Sequence, residues 1–278
     1  DVRGWRSEGL VGGYDYTPLH YAAEQGHLDV ARALIAAGAG VNAQSKSGRT
    51  PLWFAVMEGH REVVEHLIAH GADVDAATQM GLTPLGIAIR KDNREMVEVL
   101  LAAGAKKTIY AAAYLGDVQR VAREISRGFD VQEREKNGYT ILHAAAQGNQ
   151  QKIAEVISAA GTNIDIRGAE DATPLYCAAD RGHVGIAKWL IDKGANVDAQ
   201  TSDCKATALH RASWRGHRDM VELLIDGGAA VTRESNLGTV LHCAALKGHA
   251  DVCELLITRG ADVDAKDEHG LTPLHVAA

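Results

Sequence analysis

The chain has 278 residues, 46% of them hydrophobic but only 5% aromatic, and its 29 Lys and Arg against 36 Asp and Glu leave a net charge of −7. That balance argues against non-specific DNA or RNA binding, which needs a dense cationic face. No apolar run approaches the length of a membrane span, and no signal-peptide pattern opens the chain.

Residues 1–14 stand apart. Gly4, Gly9, Gly12 and Gly13 mark a flexible lead-in or the remnant of an upstream segment. Then comes Thr17-Pro18-Leu19-His20, which reads as a helix start. Thr is an N-cap, and Pro follows at the first helical position, where its missing N–H costs nothing. The motif returns at Thr50-Pro51-Leu52, Thr83-Pro84-Leu85, Thr173-Pro174-Leu175 and Thr272-Pro273-Leu274-His275. Looser copies begin at Thr140, Thr207 and Thr239.

Nine residues after the first Thr stands Gly26, repeated as Gly59, Gly116, Gly182, Gly216 and Gly248. A helix stopping there needs one left-handed residue. Asp92 and Asn149, which tolerate that conformation, fill the two exceptions. A second amphipathic helix follows, with apolar pairs such as Val30 and Leu34 or Ile153 and Ile157. It closes on Gly38, Gly71, Gly104, Gly128, Gly161, Gly194, Gly228 and Gly260, always at one offset.

A unit of T-P-L-H-x-A, then G-H, then G-A-x-V-N/D-A resembles the ankyrin repeat. Gly26-His27, Gly38-Ala39, Val41-Asn42-Ala43 and Gly260-Ala261-Asp262-Val263-Asp264-Ala265 carry the match over residues 15–278. The resemblance implies an all-α solenoid of stacked helix pairs with projecting β-hairpin fingers. It also implies that the first-motif histidines hydrogen-bond within and between repeats. Repeats 1–3 occupy residues 15–105 and repeats 4–9 residues 106–278, the ninth truncated at Ala278, as expected of a fragment of a longer protein. The fourth start, Lys107-Thr108-Ile109, comes so soon after Thr83 that a finger is missing. Its second helix carries Arg120 and Glu124, an i,i+4 pair suited to solvent, in place of apolar residues. Repeat 4 thus resembles a cap, and the expectation is a junction between two stacks.

Candidate chemistry is sparse. Ten of the thirteen histidines belong to the repeat motif. His66 and His70 have the spacing of zinc ligands but lack a third ligand. There is no P-loop, G-x-S-x-G elbow or dinucleotide fingerprint. No enzyme, metal or cofactor is expected. Asp73, Asp75, Asp198 and Asp264 recur in register at finger bases. Cys177, Cys204, Cys243 and Cys253 show no C-x-x-C spacing, and no N-x-S/T sequon occurs. A reducing, intracellular setting is expected, cytoplasmic with a nuclear one left open. Cys177 and Cys243 read as buried packing thiols.

The positions that vary while the scaffold repeats carry the function. By the resemblance these are the finger tips and two positions near the end of each first helix, lining a concave groove. Tyr16, Arg49, Leu82, Tyr114 and Tyr139 give an aromatic and apolar lining. Arg181, Arg215 and Lys247 fall at one position of consecutive repeats, a cationic stripe with Trp214 beside it. Trp, Tyr and Arg most often carry interface energy. The expected function is protein recognition, a partner protein or peptide with an acidic segment meeting these residues. Neither nucleic acid, membrane nor small molecule is expected as ligand. The alternative is a regulatory or substrate-docking module of a larger enzyme, channel or effector.

Overall fold

The computed structural model describes residues 15–136 and 138–277, so the lead-in of residues 1–14 lies outside the described residues. The chain divides into two compact units, residues 1–111 and 112–278. The first holds the helix pairs Pro18–Glu24 with Leu28–Ala36, Pro51–Glu58 with Arg61–Ala69, and Pro84–Arg90 with Arg94–Ala102. Helix Ile109–Leu115 spans the border. The second unit continues with Val118–Ser126, then the pairs Ile141–Gln147 with Gln151–Ala159 and Pro174–Arg181 with Val184–Asp192. Ala208–Arg215 with Arg218–Asp226, Val240–Leu246 with Ala250–Thr258, and the single turn-and-a-half Pro273–Ala277 complete it.

Within each unit, first helices pack on first helices and second on second. The contact is made by small residues. Ala22, Ala23, Ala145, Ala178 and Ala212 are buried, together with larger anchors such as Leu52, Leu67, Ile153 and Leu209. Full burial of one such side chain stabilises by roughly 1.5–3 kcal/mol. The fingers are turns closed by one backbone bond, as from Ser45 N–H to Arg49 O at 2.9 Å. Among the described residues, strand geometry is confined to the finger pairing Glu234–Ser235 with Gly238–Thr239.

The helix starts fall into two kinds. Where the third helical residue is not His, the Thr hydroxyl accepts its N–H, as Thr50 does from Trp53 and Thr173 from Tyr176, both at 3.2 Å. Where it is His, the ring joins the cap. Thr140 N–H donates to His143 Nδ1 at 3.2 Å and the Thr140 hydroxyl meets the same nitrogen at 2.9 Å. An Nδ1 that accepts leaves the proton on Nε2, which donates to Ala172 O in the next repeat at 3.0 Å. His20 reaches Arg49 O and His242 reaches Leu271 O in the same way. His20, His143 and His242 therefore each cap their own helix and tie it to the next finger, whereas the buried Nε2 of His210 has no such acceptor among the described residues.

The second set of histidines bonds backwards. His60 Nε2 donates to Glu24 O, His183 to Gln147 O, His217 to Asp180 O and His249 to Trp214 O, all at 3.0–3.2 Å. This explains the glycine twice over at Gly26, Gly182 and Gly216, where a Cβ would meet the ring of His60, His217 or His249. Gly216 has φ +74°, and a Cβ there would lie 2.5 Å from the His249 ring. Asp92 and Asn149 carry the positive φ of 56° where glycine is absent. The finger-base carboxylates are staples as well: Asp75 accepts Lys106 N–H at 2.9 Å, and Asp198 accepts Ala230 N–H at 3.1 Å.

In repeat 4, only Val121 is buried on the second helix. Glu124 pairs with Arg127 at 3.5 Å and Arg123 at 3.8 Å, in place of the expected Arg120 partner.

Candidate partner-binding surface

The predicted contact residues divide by burial. Leu82 and Tyr114 are 8% and 2% exposed, so both belong to the core and offer nothing to a partner. Tyr114 is held there by a close crossing: its carbonyl would sit 2.0 Å from a Cβ at position 148, which is why that residue is Gly148 at an ordinary φ of −89°. Tyr139 packs its ring on His143, centroids 5.2 Å apart, and Tyr16 stacks on His20 at 5.5 Å. These tyrosines partly shield the bridging histidines. Arg49 lies over the Trp53 ring at 4.5 Å, a cation–π contact that the sequence pattern did not indicate.

The cationic stripe is not a row of open charges. Asp180, the last residue but one of helix Pro174–Arg181, sits among three arginines. Arg211 Nε donates to Asp180 Oδ1 at 2.5 Å, Arg215 Nε donates to the same oxygen at 2.8 Å, and Arg181 Nε lies 3.7 Å from Oδ2. Arg181 is 13% exposed, Arg215 44%. Burial pushes the Asp180 carboxyl upward, but the hydrogen bond from Arg215 and the charges of Arg211, Arg215 and Arg181 overcome it and hold the pKa below the carboxylate norm. Arg211 escaped the sequence reading. Its signal was the offset of 31 residues from Asp180, close to one repeat, with Arg215 at 35.

Trp214 is half-buried, where a largely solvent-exposed indole is what the sequence leads one to expect. Its ring carries the Lys247 ammonium at 4.2 Å, and its carbonyl accepts from His249. Lys247 and Arg215 remain exposed beside it. The surface thus consists of one aromatic plane, one ammonium and an arginine cluster with a single internal counter-charge.

No other chemistry gathers nearby. Among the described residues, no group of three or more His, Cys, Asp or Glu could hold a metal ion. His66 and His70 approach only each other, ring centroids 4.2 Å apart, with His70 Nδ1 2.8 Å from His66 O. Burial pushes the Cys177 and Cys243 thiols up to about 12, so neither forms a thiolate at neutral pH. We expect Ellman's reagent to label Cys204 and Cys253 in the native protein and Cys177 and Cys243 only on unfolding; four equal rates would contradict this burial. Among the described residues, no helix is long and apolar enough to cross a membrane.

Family models agree with the repeat geometry. One described as ankyrin repeats (3 copies) matches residues 19–111 and 209–278, and one described as ankyrin repeats (many copies) matches 142–191 and 175–225. The chain belongs to the ankyrin repeat family, whose repeats are non-catalytic modules that bind proteins. It is similar to Palmitoyltransferase Hip14 of Drosophila melanogaster, 33% identical over 100 residues, 34% of this chain and 16% of that protein. Palmitoyltransferase ZDHHC17 of Danio rerio is 36% identical over 100 residues, with the same coverage of 34% and 16%. RelA-associated inhibitor of Mus musculus is 32% identical over 97 residues, 35% of this chain and 12% of that protein. The match thus spans 16% or less of each of these relatives.

Proposed function

We propose that the chain recognises a partner protein through the ends of its first helices, with Trp214, Arg215 and Lys247 as the principal contacts in residues 112–278. The observation that supports this reading is the Lys247–Trp214 pair beside the Asp180 cluster. An aromatic plane and guanidinium groups held in place lose little entropy on binding. Arg181 contributes from within the cluster, and Tyr16, Arg49 and Tyr139 form secondary contacts where their rings and guanidinium reach the surface.

The test is capture of partners from lysate by the wild-type chain and by Trp214→Ala. Removing the indole should weaken the captured partner's binding about tenfold or more, the scale of an interface anchor. Unchanged affinity would move the contact surface elsewhere. Because Arg215 and Lys247 attract acidic residues, rising salt should slow association, and Arg215→Glu should slow it further.

A second reading is that this module docks substrates or regulators for a larger enzyme. It draws support from the palmitoyltransferases, in which the similar stretch is 16% of the length. In that case the natural polypeptide carries a catalytic domain outside these residues, and its full-length transcript will encode one.

A further inference from the structure

The arginine cluster has a geometry that the general reading of an acidic partner does not use. Arg211 and Arg215 lie one turn apart on helix Ala208–Arg215, and both direct Nε to one oxygen of Asp180. The shared acceptor brings the two guanidinium groups together. Among the described residues, neither arginine forms a hydrogen bond through its Nη atoms, and the side chains stay 31% and 44% exposed. Two neighbouring guanidinium groups are therefore left with their outer Nη edges available, gathered by a carboxylate that the protein supplies itself.

We propose that this pair is a docking site for a phosphorylated side chain of a peptide partner, a phosphoserine or phosphothreonine, a proposal that rests on the protein-recognition reading above. A carboxylate fills one fork, and Asp180 already plays that part along the inner edges. A phosphomonoester brings nearly two negative charges and three acceptor oxygens, enough to engage both outer edges at once. The charges agree: Arg211, Arg215 and Lys247 stand beside the single carboxylate of Asp180. A polyanion such as RNA would also meet the rest of a chain whose net charge is −7, which disfavours it against one localised dianion. Trp214, adjoining Arg215 in sequence, supplies a plane for the residue next to the phosphorylated one.

The experiment uses the 278-residue chain, isotope-labelled at nitrogen, titrated with N-acetyl-phosphoserine methylamide while the arginine Nε–H and Trp214 indole signals are followed. The expected result is a saturable shift at Arg211, Arg215 and Trp214. The matched glutamate amide should bind about tenfold more weakly, having one charge and one fork to fill. Arg211→Gln and Arg215→Gln should each weaken binding by about tenfold, and Arg215→Lys, which keeps the charge but loses the planar fork, should fail to restore it. Equal affinity for the glutamate amide, or no change in the Gln variants, overturns the proposal. Inorganic phosphate binding as tightly as the phosphoserine amide would overturn the peptide source and leave a free-anion site. None of these results depends on Trp214→Ala in the capture experiment, so the two readings fail separately.

Discussion

Replacing Gly216 by alanine is expected to destabilise the protein by about 3 kcal/mol, while the same change at Gly260 costs about 1 kcal/mol. Both glycines have positive φ, +74° and +91°, so both alanines bear the left-handed penalty of roughly 1–2 kcal/mol. They differ in what the new methyl meets. At 260 nothing lies within 4 Å; at 216 the His249 ring stands 2.5 Å away. That ring cannot step back without giving up its bond to Trp214 O at 3.1 Å. The excess should therefore vanish when Gly216→Ala is made in a His249→Ala background, because the obstacle is gone. Urea unfolding of the four variants measures it. Equal costs at positions 216 and 260 would show that the ring yields freely. The consequence reaches the surface, since Gly216 follows Trp214 and Arg215 directly, and a displaced helix end moves both.

The repeat was legible because its punctuation has local causes. A Thr-Pro start and a left-handed stop are decided within a few residues, so their recurrence shows in the letters alone. The core alanines followed for the same reason. What escaped was settled by the neighbouring repeat. Gly148 stands near the end of a first helix, among the positions that vary from copy to copy, but a main chain crossing at Tyr114 excludes any side chain there. The stripe of Arg181, Arg215 and Lys247 reads as open charge in the sequence because nothing local marks Asp180 as a counter-ion. Only its placement a repeat away from Arg211 and Arg215 makes it their counter-ion. Leu82 and Tyr114 failed similarly: a residue type suited to interfaces is equally suited to a core, and burial decides between them.

Acid should unfold the protein over a window set by histidines rather than carboxylates. His143 and His210 have pKa values lowered to about 4 by burial, and burial lowers that of His20 as well. The cause is burial, which disfavours the charged ring and outweighs the backbone hydrogen bonds that favour it. In the unfolded chain these rings titrate near 6.5. Between about pH 6.5 and 4 the unfolded state thus binds more protons, and stability falls as pH falls. The stabilisation is fully present above pH 6.5 and is lost on the way down to pH 4. Each of His143 and His210 removes about 3 kcal/mol over that range, roughly 6 kcal/mol together, comparable with the whole stability of many domains. Asp180 acts in a lower window, because its depressed pKa lets its contribution survive until below the ordinary carboxylate range. The measurement is unfolding free energy against pH for the wild type and for His143→Gln, which keeps a polar side chain that cannot titrate. The variant should lose about one proton from the pH dependence between pH 6.5 and 4, whatever its absolute stability. An unchanged slope would mean that His143 takes up its proton in the folded state at the ordinary pH, and that burial does not hold the ring neutral.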